Sequence, residues 1–121
     1  MGTLVAVVED DASLRVAIER LLRGAGWSCV GYASAEDFAA RRDGAAPDCA
    51  IVDIHLGATS GLALQARLGK SAPTLAVIIV TAHDQASLRR RAVEQGCAAY
   101  LVKPFDGATL VDAVRAALAP R

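Results

Sequence analysis

The sequence carries no net charge. Its 13 basic and 13 acidic side chains cancel, so no overall field draws the chain onto nucleic acid or a membrane surface. DNA binding would need another domain or a partner. No apolar run approaches the ~20 residues of a membrane-spanning helix. The amino terminus does not read as a signal peptide: its apolar run is only Leu4 to Val8, no basic region precedes it, and three acids follow. Cysteine is scarce, and Cys29, Cys49 and Cys97 show no metal-ligand spacing. An odd number of thiols in or beside apolar segments suits a reducing compartment and small buried side chains. Together these absences predict a cytoplasmic protein. Linkers, low-complexity segments and sequence repeats are missing too, and 121 residues leave room for a single domain over 1–121.

What is present is a full complement of apolar residues, 54% of the chain, arranged as alternating strand and helix patterns. Short apolar runs at Leu4–Val8, Trp27–Tyr32, Cys49–Asp53, Leu75–Thr81 and Ala98–Val102 read as strands. Between and after them come helical segments near Ala12–Arg23, from Ser34 to about Asp43-Gly44, Ser60–Leu68, Gln85–Gln95 and Gly107–Leu118. In the first helix Leu14, Ile18, Leu21, Leu22 and Ala25 share one face. Ser34 with Asp37 three residues on is an acidic relative of the capping box. Five βα units imply a parallel sheet with helices on both faces. Right-handed crossovers favour the doubly wound, flavodoxin-like order 2-1-3-4-5, which centres the first and third strands.

The organising stretch is Cys49-Ala50-Ile51-Val52-Asp53, an apolar run delivering one carboxylate to the carboxyl edge of the sheet, where open parallel sheets bind ligands. The first strand runs into Glu9-Asp10-Asp11, the fourth ends at Thr81, and the fifth leads to Lys103-Pro104. Neighbouring strands lie roughly 4.8 Å apart, so Asp10, Asp11 and Asp53 should meet. Like charges at that range repel, and a Mg²⁺ ion, which takes oxygen ligands, relieves this. The backbone carbonyl of His55 is a candidate further ligand. Asp53 is the candidate acceptor of a phosphoryl group, since carboxylates form acyl phosphates. Lys103 is its counter-cation, Thr81 a hydroxyl donor, and Pro104 suggests a rigid turn, cis in one reading.

Taken in order at consecutive strand ends, Glu9-Asp10-Asp11, Asp53, Gly61, Thr81-Ala82, Tyr100 and Lys103-Pro104-Phe105 make the chain resemble the receiver domain of two-component response regulators over essentially its whole length. The resemblance implies phosphorylation of Asp53 by a histidine kinase or histidine phosphotransfer protein. It implies Mg²⁺ held by Asp11, Asp53 and the His55 carbonyl, with Asp10 acting largely through a metal-bound water. It also implies a switch pair: Thr81 moves toward the phosphoryl group and the Tyr100 ring turns inward. Such a protein is not an enzyme in the usual sense, although it phosphorylates itself from small donors and dephosphorylates itself. Its output goes to an effector domain or downstream protein, and it either stands alone or belongs to a longer regulator.

Departures from that pattern carry their own expectations. Gly57 stands where receivers usually have proline, which predicts a looser loop around the metal-binding carbonyl. His55 and His83, each two residues past a site residue, are positioned to border the phosphoryl group, and imidazoles there predict a lifetime that varies between about pH 5 and 8. Arg89-Arg90-Arg91 is a charge run on the fourth helix, a solvated surface or a partner contact. Ala98 and Ala99 sit where many receivers carry an acid, which weighs against a salt-bridged dimer. Three other classes are open. A haloacid-dehalogenase-like phosphatase needs a second aspartate where His55 stands, and a flavodoxin needs a phosphate-cradling loop where the acids lie. A pseudo-receiver would keep the fold and bind partners without phosphorylation.

Overall fold

The computed structural model describes residues 2–41 and 46–120. Among them, strands β1 (Leu4–Val8), β2 (Ser28–Tyr32), β3 (Cys49–Asp53), β4 (Ala76–Thr81) and β5 (Ala99–Val102) alternate with helices α1 (Ala12–Gly24), α2 (Ala35–Ala39), α3 (Gly61–Ser71), α4 (Ala86–Glu94) and α5 (Gly107–Leu118). All strand pairs are parallel, in the order β2-β1-β3-β4-β5. This is the flavodoxin-like order expected from the sequence. The second helix ends at Ala39, short of the expected Asp43-Gly44, which lie outside the described residues.

Residue parity along the strands divides the core in two. Val5, Val7, Cys49, Ile51, Ile78 and Val80 pack beneath α1 and α5 against Ile18, Leu22, Leu110 and Val114. Ala6, Val8, Ala50, Val52, Val77 and Ile79 face the other way, against Phe38 of α2, Leu62, Leu64 and Leu68 of α3, and Ala92 of α4. Each large aliphatic side chain so buried stabilises the fold by about 1.5–3 kcal/mol relative to exposure. All of β3 is buried, which is why its sequence is a continuous apolar run up to Asp53.

Local chemistry fixes the helix starts. Asp11, Ser34, Ser60 and Asp106 each occupy an N-cap, and each side chain accepts the backbone N–H of the residue three positions on. The third helix runs on to Ser71, beyond the expected Leu68, and stops just before Pro73, whose ring disfavours helical backbone in the residue preceding it. Trp27 precedes β2 instead of beginning it, and packs half-buried into the α1/α5 layer. No helix among the described residues is long and apolar enough to cross a membrane.

Candidate functional site

Strand register brings the site together. Val8 of β1 is the partner of Val52 of β3, so the next residues, Glu9 and Asp53, come abreast. Asp53 is the last residue of β3 and is 4% exposed; Glu9 is 2% exposed. Lys103 spans both: its Nζ lies 2.7 Å from Asp53 Oδ2 and 2.6 Å from Glu9 Oε1. The other Asp53 oxygen, Oδ1, accepts the backbone N–H of His55 at 3.0 Å. Burial raises the Glu9 carboxyl above the usual carboxylate range, and Asp53 beside it adds to the shift, while Lys103 pulls it back. Desolvation works against the Lys103 ammonium, but hydrogen bonds to Asp53 and Glu9 outweigh it and hold the group above its ordinary value.

Glu9, Asp10 and Asp53 each offer a carboxylate oxygen, and these oxygens lie within 4.8 Å of one another. Three carboxylates face one ammonium, so two negative charges are left over when all are ionised. An all-oxygen donor set with that excess fits a hard divalent cation such as Mg²⁺. Asp11 is not a member of this cluster. Its Oδ1 accepts the Leu14 N–H at 3.1 Å as the α1 cap, and its own N–H donates to Glu9 Oε2 at 3.3 Å. The structure thus places Asp11 at the start of α1 as its cap, outside the carboxylate cluster in which the sequence reading expected it. Glu9, which sequence reasoning did not place in the cluster, stands in the site instead. The signal was available, since Glu9 follows the apolar run of β1 as Asp53 follows that of β3.

The loop behind the acceptor is closely fitted. Gly61 opens α3 against the end of β3, its N–H donating to the Ile54 carbonyl at 2.8 Å, and a Cβ on Gly61 would drive into the Asp53 carbonyl. Gly57 has φ +83°. Proline, restricted to φ near −65°, cannot take that conformation, so glycine here selects a left-handed turn. The Lys103–Pro104 peptide is cis.

Thr81 is fully buried at the end of β4, and its hydroxyl is engaged by the next loop, accepting the His83 N–H at 3.0 Å and lying 3.3 Å from the His83 carbonyl. His55 and His83 are exposed and their rings meet edge to face, 5.2 Å between centroids. Tyr100 of β5 is half-buried. Its hydroxyl donates to Asp84 Oδ1 at 3.2 Å, and the Arg89 guanidinium lies 4.7 Å over its ring. Of the arginine run, Arg89 pairs with Asp84 at 2.9 Å and Arg91 reaches Gln95 at 3.5 Å. A cavity of about 710 Å³ lies at the opposite, amino edge of β4 and β5, lined by Ala76, Gly96, Cys97 and Ala117 among others. Among the described residues no charged side chain lines it, whereas the acids and Lys103 gather at the carboxyl edge.

Fold and site thus define a doubly wound α/β domain with a lysine-bridged carboxylate cluster at the carboxyl edge of its sheet. The sequence signature described as the response regulator receiver domain matches residues 5–115, and the chain belongs to that family. It is similar to the DNA-binding transcriptional regulator NtrC of Salmonella typhimurium, 39% identical over 103 residues, which cover 85% of this chain and 22% of that protein. The chain spans about a fifth of the length of that curated relative. Among solved structures it resembles a response regulator receiver protein from Burkholderia phymatum, at 38% identity and TM-score 0.83, with 96% of this chain and 94% of that one covered. A CheY-like receiver domain from Methanospirillum hungatei matches at TM-score 0.92 and 22% identity over 98% of this chain and 94% of that one, a likeness of fold.

Proposed function

We propose that this receiver domain is a signalling switch thrown by phosphorylation of Asp53, with a histidine kinase or histidine phosphotransfer protein as donor. The observation that carries the reading is the state of Asp53: nearly buried, yet a carboxylate held in place by Lys103 at 2.7 Å and the His55 N–H at 3.0 Å. Orientation of this kind lowers the barrier to attack. One Asp53 oxygen forms a bond to phosphorus as the bond to the donor nitrogen breaks, and the electron pair leaves with the donor imidazole. Lys103 then exchanges a carboxylate oxygen for a phosphoryl oxygen. Glu9, Asp10 and Asp53, with the His55 carbonyl, are the groups that would hold Mg²⁺. When bound, the ion offsets the charge that builds between carboxylate and phosphoryl group.

The buried Thr81 hydroxyl, at the end of the strand beside β3, links the sheet edge to the β4–α4 loop through His83. When it turns to a phosphoryl oxygen it gives up His83, and Tyr100 turns inward with the loop. Driving such an equilibrium from 1:99 to 99:1 takes roughly 5.5 kcal/mol, a sum that new bonds from Thr81 and Lys103 to the phosphoryl oxygens help to supply. His55 and His83 border the path of an attacking water, so His83→Ala should change the half-life of the phosphorylated form severalfold. The domain remains a switch that takes a phosphoryl group from small donors and loses it by hydrolysis. Its output passes to an effector domain or a downstream protein in the cytoplasm. A purely binding pseudo-receiver is disfavoured, because it has no use for a lysine-bridged acid pair at the ends of β1 and β3.

Intact mass after incubation with acetyl phosphate tests the reading. One added phosphoryl group that requires Mg²⁺ and is lost in Asp53→Asn supports it. No adduct on a folded chain with Mg²⁺ present would sink it.

A further inference from the structure

The helix α4 is anchored at its two ends by unlike chemistry. At the carboxyl end the anchor is neutral and centred on a buried glutamine. Gln65 of α3, 2% exposed, donates Nε2 to the Ala92 carbonyl at 2.9 Å. Gln95, the C-cap of α4, donates Nε2 to Gln65 Oε1 at 2.8 Å and to the Leu62 carbonyl at 3.1 Å. Ala92, fully buried, lies at this same end. The buried Gln65 amide has no water to turn to, so losing Gln95 strands it.

At the amino end the anchor is exposed and ionic. Gln85, the N-cap, makes no side-chain capping bond. In its place Asp84 accepts from Arg89 at 2.9 Å and from the Tyr100 hydroxyl at 3.2 Å, and Arg89 covers the Tyr100 ring at 4.7 Å. The side chains of Arg89 and Asp84 are 51% and 40% exposed, so water replaces these contacts readily. This catch is also wired to the acceptor site. Asp84 directly follows His83, whose backbone N–H the Thr81 hydroxyl holds.

We propose that α4 is a lever hinged at its carboxyl end, with the Gln65–Gln95 amide clamp as fixed pivot and the Asp84–Arg89–Tyr100 cluster as the catch that holds its amino end at rest. This rests on the switch reading above: when Thr81 leaves His83, the loop bearing Asp84 is freed, the catch opens, and the helix swings about Gln95. Motion is then confined to residues 82–90, while residues 91–97 stay docked on α3. The face that changes is the one Tyr100 and Arg89 share.

Hydrogen exchange read by mass spectrometry on the full chain, before any phosphorylation, tests the lever. In Arg89→Ala and, separately, Asp84→Asn, amides of residues 82–90 should exchange about fivefold faster, with residues 91–97 changed by less than about twofold. Gln95→Ala should give the reverse pattern, fastest at 91–97, and because Gln95 is half-exposed the variant avoids the deeper cavity of Gln65→Ala. Excess acetyl phosphate should reproduce the Asp84→Asn pattern in the native chain. Exchange that rises evenly along α4 in Arg89→Ala, or first at 91–97 on phosphorylation, would overturn the lever. A chain that takes no phosphoryl group contradicts the switch reading instead, and the contrast between Arg89→Ala and Gln95→Ala still decides the hinge.

Discussion

Glu9 stands abreast of Asp53, and one ammonium serves both. The register pair Val8 and Val52 puts the two acids side by side, and Lys103 Nζ reaches Oε1 of one at 2.6 Å and Oδ2 of the other at 2.7 Å. Removing the cation leaves two nearly buried carboxylates without a partner. Loss of one partner from a fully buried pair costs about 3–5 kcal/mol. Lys103 keeps some solvent contact and Glu9 is able to take up a proton, so Lys103→Met should cost less, about 2 kcal/mol at neutral pH. A urea midpoint shift measures it; an unchanged midpoint would show that the pair is not the bridge described.

The division of labour among the three consecutive acids has a direct test. Glu9→Gln and Asp10→Asn should each weaken Mg²⁺ binding by about tenfold or more, since each removes a charged oxygen from the cluster. Asp11→Asn should leave it within about twofold, because asparagine caps a helix as well as aspartate does. Calorimetric titration with Mg²⁺ checks all three. Loss of binding in Asp11→Asn alone would restore the sequence expectation.

Three glycines should respond differently to alanine. At Gly61 the new methyl meets the Asp53 carbonyl, and Gly61→Ala should destabilise by about 2–3 kcal/mol and depress phosphorylation together. At Gly57 there is open space but φ is +83°, so Gly57→Ala should cost about 1 kcal/mol. Gly69 lies within α3 with nothing near, and Gly69→Ala should be neutral or stabilising by up to about 1 kcal/mol. Thermal or urea unfolding ranks them, and a different order contradicts the loop geometry.

The Tyr100 phenol is held above its ordinary range, first by burial and then by its hydrogen bond to the Asp84 carboxylate. Phenolate formation next to that carboxylate is opposed. Asp84→Asn should therefore move the Tyr100 titration to lower pH, and Arg89→Ala, which removes a favourable charge over the ring, should move it higher. Ultraviolet absorbance at alkaline pH, with Tyr100→Phe subtracted, reads both. A titration unmoved by Asp84→Asn would dissolve the catch at the amino end of α4.

Much of this molecule is legible in its sequence. The apolar runs and their stops give the strand and helix order, and the crossover rule then leaves the 2-1-3-4-5 sheet with Asp53 at its edge. Lys103 is readable because it closes the last strand. The acids of 9–11 are harder. Three adjacent carboxylates look alike until the first helical residue is known, and whether Asp11 caps or coordinates depends on that single boundary. The cluster of Asp84, Arg89 and Tyr100 is invisible to any local pattern, since a loop, a helix and a strand supply one member each. Gly57 is legible only in part. Its departure from the usual proline is visible in the sequence, but the left-handed turn it makes there is not.

The most direct test of the central claim is to locate the phosphoryl group. Borohydride reduces an acyl phosphate to the alcohol, so an aspartyl phosphate leaves homoserine in its place. After acetyl phosphate and Mg²⁺, peptide mapping should find homoserine at position 53, and the mark should vanish without Mg²⁺. Homoserine at position 10 or 11, or none on a folded chain, would contradict the assignment of Asp53 as the acceptor.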